Sequence, residues 1–136
     1  MANYTQNYRL HQWEPNDDFL RTDFNTDFQK IDTALGKKGE FVLGVYTGDG
    51  SESQEIILGF QPKALYVCSQ GGLFGAEESG YKVYGGMAMP GHPVVDQGHN
   101  NEVAVEITET GFQVHHEAAY RRVNTNGWNY HYQALR

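Results

Sequence analysis

Pro15–Gly39, PNDDFLRTDFNTDFQKIDTALGKKG, is the one stretch of this chain whose apolar residues recur with a helical period. Phe24, Phe28, Ile31 and Leu35 are spaced 4, 3 and 4 residues apart, the alternation of a coiled-coil seam. Pro15 suits the first turn, Asp17 and Asp18 suit the positive end of the helix dipole, and Lys37, Lys38, Gly36 and Gly39 mark the other end. The spacing predicts a helix over residues 16–35. Asp23, Thr26, Gln29, Lys30 and Thr33 take the opposite face. A lone helix of this length is marginal in water, so its stripe must be covered. It can pack on the chain's own β-structure or on copies of itself. The narrow stripe and its place at one end of the chain favour copies, with Phe24, Phe28, Ile31 and Leu35 as the oligomerisation residues.

After Gly39 the period changes to two. Strands are expected at Phe41–Tyr46, Gln54–Leu58, Lys63–Ser69, Tyr81–Met87 and Val94–Val95. Two more follow in EVAVEITETGFQVHH, joined at TETG, with Val103, Val105 and Ile107 on one face and Ala104 on the other. The last is WNYHYQAL, with Trp128, Tyr130, Tyr132 and Ala134 facing one way. Short strands, turn-rich joins and no interleaved helices define a mainly β fold: an antiparallel β-sandwich head over 40–136, preceded by an arm and oligomerisation helix over 1–39. The arm, residues 1–14, is polar with scattered rings and is expected to be extended.

The core must be thin. Leu, Ile, Val and Phe number 29 of 136 residues, near the level at which chains stay disordered, although nine Tyr and two Trp add apolar area. Small domains of this kind gain stability by associating. The net charge of −7 argues against nucleic acid as a partner and against an anionic membrane surface. No segment is apolar enough to insert in a bilayer, and the N-terminus lacks the basic and apolar regions of a signal peptide, so synthesis in the cytoplasm of a host is expected. The single cysteine, Cys68, cannot form an intrachain disulfide and reads as a small strand hydrophobe.

No catalytic constellation emerges. Glu77 and Glu78 are neighbours and point apart in an extended segment; Asp96 could in principle oppose one of them, but solvated loop charges are the favoured reading. TGDGSESQ lacks the lysine and following helix of a phosphate loop, and nothing resembles a nucleophile elbow. No cofactor is expected. The most functional-looking loop is PGHPVVDQGHNN: His92, Asp96, His99 and Asn100 offer hydrogen bonds for a sugar, with Tyr81 or Tyr84 exposed to stack on its ring. A less expected use falls to His115, His116 or His131, three copies of which around a threefold axis would bind a transition metal.

Three segments carry a resemblance. HQWEPNDDFLRTDFNTDFQKIDTAL resembles the N-terminal helix of tail-appendage proteins from phages and prophages of gut Firmicutes. VYTGDGSESQEIILGFQPKALYVCSQ resembles the opening hairpin of tail-fibre and receptor-binding domains, and TGFQVHHEAAYRRVNTNGWNYHYQAL their closing part. About 70 residues are covered, mostly turn and core positions. The resemblance implies a virion tail protein, usually a homotrimer, that helps attach to a bacterial surface glycan or receptor alongside other tail and baseplate proteins. It leaves Gly72–Asn100 unmatched. A structural tail adaptor and a small carbohydrate-active enzyme are the alternatives.

Overall fold

The computed structural model describes residues 3–77 and 81–136. The chain divides into two compact units, Met1–Gly39 and Glu40–Arg136.

The first unit is a hairpin on a helix. Strands β1 (Asn3–Tyr4) and β2 (His11–Gln12) pair antiparallel, so the arm is a folded hairpin and not an extended tail. Its turn is closed by Thr5, whose N–H donates to the Leu10 carbonyl (2.8 Å) and whose hydroxyl oxygen accepts from the Leu10 N–H (2.9 Å). Helix α1 spans Arg21–Gly36 and starts five residues later than the sequence pattern suggests. The cause is a turn at Pro15. The Asp17 carboxylate accepts from the Glu14 N–H (2.9 Å), and the Asp17 N–H donates to the Glu14 carbonyl (2.9 Å). A side chain that bonds to nearby backbone in this way competes with the helix. Phe19 and Leu20 therefore precede α1, and Asp23 is the acidic residue in its first turn.

The second unit is a sandwich of two four-stranded antiparallel sheets, which agrees with the expected mainly β class. In chain order its strands are β3 (Phe41–Thr47), β4 (Ser53–Ile57), β5 (Ala64–Ser69), β6 (Gly75–Glu77), β7 (Tyr81–Val83), β8 (Gly86–Ala88), β9 (Val94–Val95), β10 (Val103–Thr108), β11 (Gly111–His115) and β12 (Asn129–Leu135). One sheet has the order β3-β12-β5-β8 and the other β4-β11-β10-β9, with β6-β7 as a separate hairpin. Period-two alternation sends Leu65, Val67, Tyr130 and Ala134 from the first sheet, and Val105, Phe112 and Val114 from the second, into one buried core.

Two departures from the expected strands have local causes. The single strand expected at Tyr81–Met87 is split into β7 and β8. Gly85 lies so close to the Val67 carbonyl that a Cβ there would collide, and Gly86 takes φ 145°, a conformation that favours glycine. In β10 the register to β9 shifts between Val103 and Val105, a bulge, and Ala104 and Val105 are both buried. Trp128 stands just outside β12 and is half exposed.

One end of the sandwich is strapped by hydrogen bonds. The Tyr46 hydroxyl donates to the Val123 carbonyl and the Tyr130 hydroxyl to the Arg122 carbonyl, both at 2.6 Å, with the two rings stacked 5.0 Å apart. The buried Asn124 amide donates to the Asp49 carboxylate (2.7 Å) and to the Ser51 carbonyl (3.1 Å). Hydrogen bonds from Ser51 and Asn124 hold the Asp49 carboxyl below its usual range. The glycine-rich turn TGDGSESQ is thus a structural latch.

Candidate functional site

The 4-3-4 stripe lies on α1, and its flank is occupied by the arm. Asp27 is buried at the junction, where its carboxylate accepts from the His11 N–H (2.6 Å) and meets the His11 ring nitrogen Nδ1 at 3.0 Å. Lys30 bridges the same carboxylate (3.3 Å) and the Arg9 carbonyl (2.6 Å). Burial raises the Asp27 carboxyl, but the His11 and Lys30 hydrogen bonds outweigh it and leave it below the ordinary value. Rings continue from the hairpin onto the helix: Trp13 against Phe19 at 4.6 Å, Phe19 against Phe24 at 5.5 Å, and Phe24 against Phe28 at 4.5 Å.

This cover is partial. Phe24 is 40% exposed, Phe28 55%, Ile31 37% and Leu35 60%, and Phe19 and Leu20 extend the patch. A helix stripe left this open invites a partner surface, since full burial of each such side chain contributes about 1.5–3 kcal/mol. The four residues proposed for oligomerisation are therefore available to a partner.

The loop residues divide. Tyr84 is buried beside Trp128, with the two rings stacked at 6.2 Å, so the expectation of an exposed Tyr84 is corrected. Asp96 is also buried and serves the loop itself. Its carboxylate accepts from the Glu102 N–H (2.7 Å), its own N–H donates to the Glu102 carbonyl (3.0 Å), and Arg121 Nε lies 3.6 Å away. Arg121 also pairs with Glu102 (2.8 Å) and donates to the Val103 carbonyl (2.9 Å). A carboxylate enclosed this way positions backbone and has little left to offer a sugar. His92, His99 and Asn100 stay exposed, with the His99 ring stacked 3.6 Å from Tyr120. Tyr81 is half exposed but does not join them. It lines a separate cleft of about 320 Å³ with Phe74, Pro93 and Gln97. Glu78, the partner of Glu77 in the adjacent acidic pair, lies outside the described residues.

The histidines considered for metal serve different surroundings. His115 Nε2 meets Glu106 at 2.7 Å. His116 is half-buried; its N–H donates to the Glu52 carbonyl (2.8 Å), and burial lowers its ring pKa. His131 is exposed on β12, opposite Val45 on one side and Cys68 on the other. Among the described residues, no group of three metal-ligating side chains comes together within one chain.

A further surface was missed in the sequence: the outer face of the sheet β3-β12-β5-β8. Phe41, Leu43 and Val45 of β3, Tyr66 of β5 and Met87 of β8 are all exposed there. A groove of about 600 Å³ runs between Leu43, Val45, Tyr66, Phe74 and His131, with Cys68 in its wall. The available signal was the unbroken apolar run FVLGVY. A strand that is hydrophobic on both faces expects cover on both.

The fold defines a small antiparallel β-sandwich joined to a hairpin-and-helix unit. Comparison with family models, with curated proteins and with solved structures finds no match for this chain.

Proposed function

We propose that this chain is a non-enzymatic, phage-derived tail appendage protein, made in the cytoplasm of a bacterial host and carried in the virion tail. It assembles as a homotrimer through α1 and contacts a bacterial cell-surface glycan or receptor with its β-head. The observation that carries the self-assembly is the open stripe Phe24-Phe28-Ile31-Leu35 beside a flank already filled by the arm. The threefold stoichiometry and the tail assignment rest on the resemblance of the helix and the two hairpin segments to tail-fibre domains. For receptor contact, the cleft between Phe74, Tyr81 and Gln97 offers two half-exposed rings and an amide, the mixture that a pyranose face and its hydroxyls require. Weak single-site contacts add through effective concentration when three heads are joined.

Light scattering on the intact chain is expected to give three times the 15.4 kDa protomer mass, and Phe28→Asp with Ile31→Asp to return it to one. A wild-type chain that stays at 15.4 kDa at micromolar concentration removes the proposal. On a glycan array, Tyr81→Ala is expected to lose the signal that the wild type gives.

The apolar outer face of the sheet β3-β12-β5-β8 favours a second reading, a structural adaptor that joins tail proteins and recognises no host. Binding to baseplate or tail proteins together with a blank glycan array would select it.

A further inference from the structure

The outer face of the β3-β12-β5-β8 sheet is built in rungs. Leu43 lies opposite Gln133, which lies opposite Tyr66, which lies opposite Met87. The next rung runs from Val45 through His131 to Cys68. Leu43 is 72% exposed, Phe41 60% and Val45 59%, the reverse of the polar outer face usual in an antiparallel sheet. Together with Tyr66, Met87 and Phe74, these side chains expose on the order of 500 Å², as much as the largest, often functional, apolar patch of a monomer.

We infer that this face packs against a second copy of the same chain, so that the assembly has an interface between heads in addition to the helix seam. The inference rests on the self-assembly reading above and extends it to the head. Charge favours a copy as the occupant. The chain carries −7, yet these rungs hold no Asp, Glu, Lys or Arg, and His131 is their single basic side chain, so two copies can meet here without the like-charge repulsion of the acidic surface. Area favours it too. A stable interface needs about 800 Å² from each partner, more than the helix stripe or this face supplies alone and within what both supply together. Only residues 37–40 separate α1 from β3, so copies joined at their helices hold their β3 strands at high effective concentration. Finally, β3 is an edge strand of seven residues with no lysine or proline along it, an edge that invites unspecific pairing unless something covers it.

The test uses the full chain and two readouts. Leu43→Asp with Val45→Asp alters exposed positions and should leave the fold intact by circular dichroism. It is expected to weaken self-association about a hundredfold or more. In the wild-type assembly, Cys68 is expected to react with a thiol reagent at least about tenfold more slowly than in the dissociated Phe28→Asp/Ile31→Asp variant, because the face that holds it is covered. An unchanged assembly in the Leu43/Val45 variant, with Cys68 equally reactive in both states, overturns the head interface and leaves the helix reading standing. A monomeric wild type overturns both. Loss of binding to another tail protein or to a glycan, with self-association unaltered, assigns the face to that partner and likewise overturns the inference.

Discussion

In the β-head, Leu65, Val67, Val105, Phe112, Val114 and Tyr130 are fully enclosed by side chains from both sheets. In the N-terminal unit the one buried position among the described residues is a carboxylate, Asp27; Leu10 and Trp13 are partly covered, and Phe19, Leu20, Phe24, Phe28, Ile31 and Leu35 stay more than a third open. The head has a core of its own. The hairpin-helix unit has a polar pin and a ladder of rings, which fixes its shape without hiding its apolar surface. Conformational entropy opposes ordering both segments alike, at about 1–2 kcal/mol per residue. Only the head has the enclosed apolar area to offset that term within one chain. The difference places the open apolar surface of the N-terminal unit on its helix and the enclosed surface in the head.

The largest expected effect tests the head. Phe112→Ala removes a ring with no exposed surface and is expected to cost about 3–5 kcal/mol in denaturant unfolding followed by Trp128 fluorescence. Phe28→Ala, measured on the dissociated chain, should cost under about 1 kcal/mol, because that ring is already half in water. Equal costs would erase the contrast between the units.

The helix and its apolar stripe were legible because four apolar residues at 4-3-4 spacing need no tertiary information to be read. The start of the helix was not legible. Asp17 and Asp18 fit a first turn, and nothing in their identity says that Asp17 would turn back to the Glu14 N–H. Alternation gave the inward face of β12 correctly at Tyr130 and Ala134. It failed at Ala104, where a bulge breaks the period, and at Gly85, where a close backbone approach ends a strand. In the candidate ligand loop, residue types suggested hydrogen bonds but could not say to whom. Asp96 spends its bonds on Glu102 and its charge on Arg121, from a segment 25 residues away in sequence. The apolar outer face is foreshadowed by FVLGVY, whose apolar residues fall on both sides of β3.

A smaller effect sharpens the contrast through pH. Asp27 is held below the ordinary carboxylate value, so its contribution is complete above that value and is lost as pH falls through the lower, folded one. Acid is therefore expected to release the hairpin from α1 while the head persists. In a Trp128→Phe background, Trp13 fluorescence should change at lower pH than a free aspartate titrates, and Asp27→Asn should abolish that transition.

The smallest effect lies in the head. Burial lowers the His116 ring pKa, so the folded head binds fewer protons than the unfolded chain as pH drops below about 6.5. Head stability should decline over that window, and His116→Gln should flatten the decline in melting temperature. A slope unchanged by that substitution would assign it to other groups.

The anchorage of the Asp96–Glu102 loop has a consequence for any encounter with that loop. The loop is tied at both ends by an aspartate–backbone exchange and an arginine clasp, and His99 rests on Tyr120. Its exposed histidine and asparagine are thus presented by a segment that is already ordered. Little motional freedom is left to forfeit on contact, so even a handful of weak hydrogen bonds there would register as binding instead of being spent on stilling the chain.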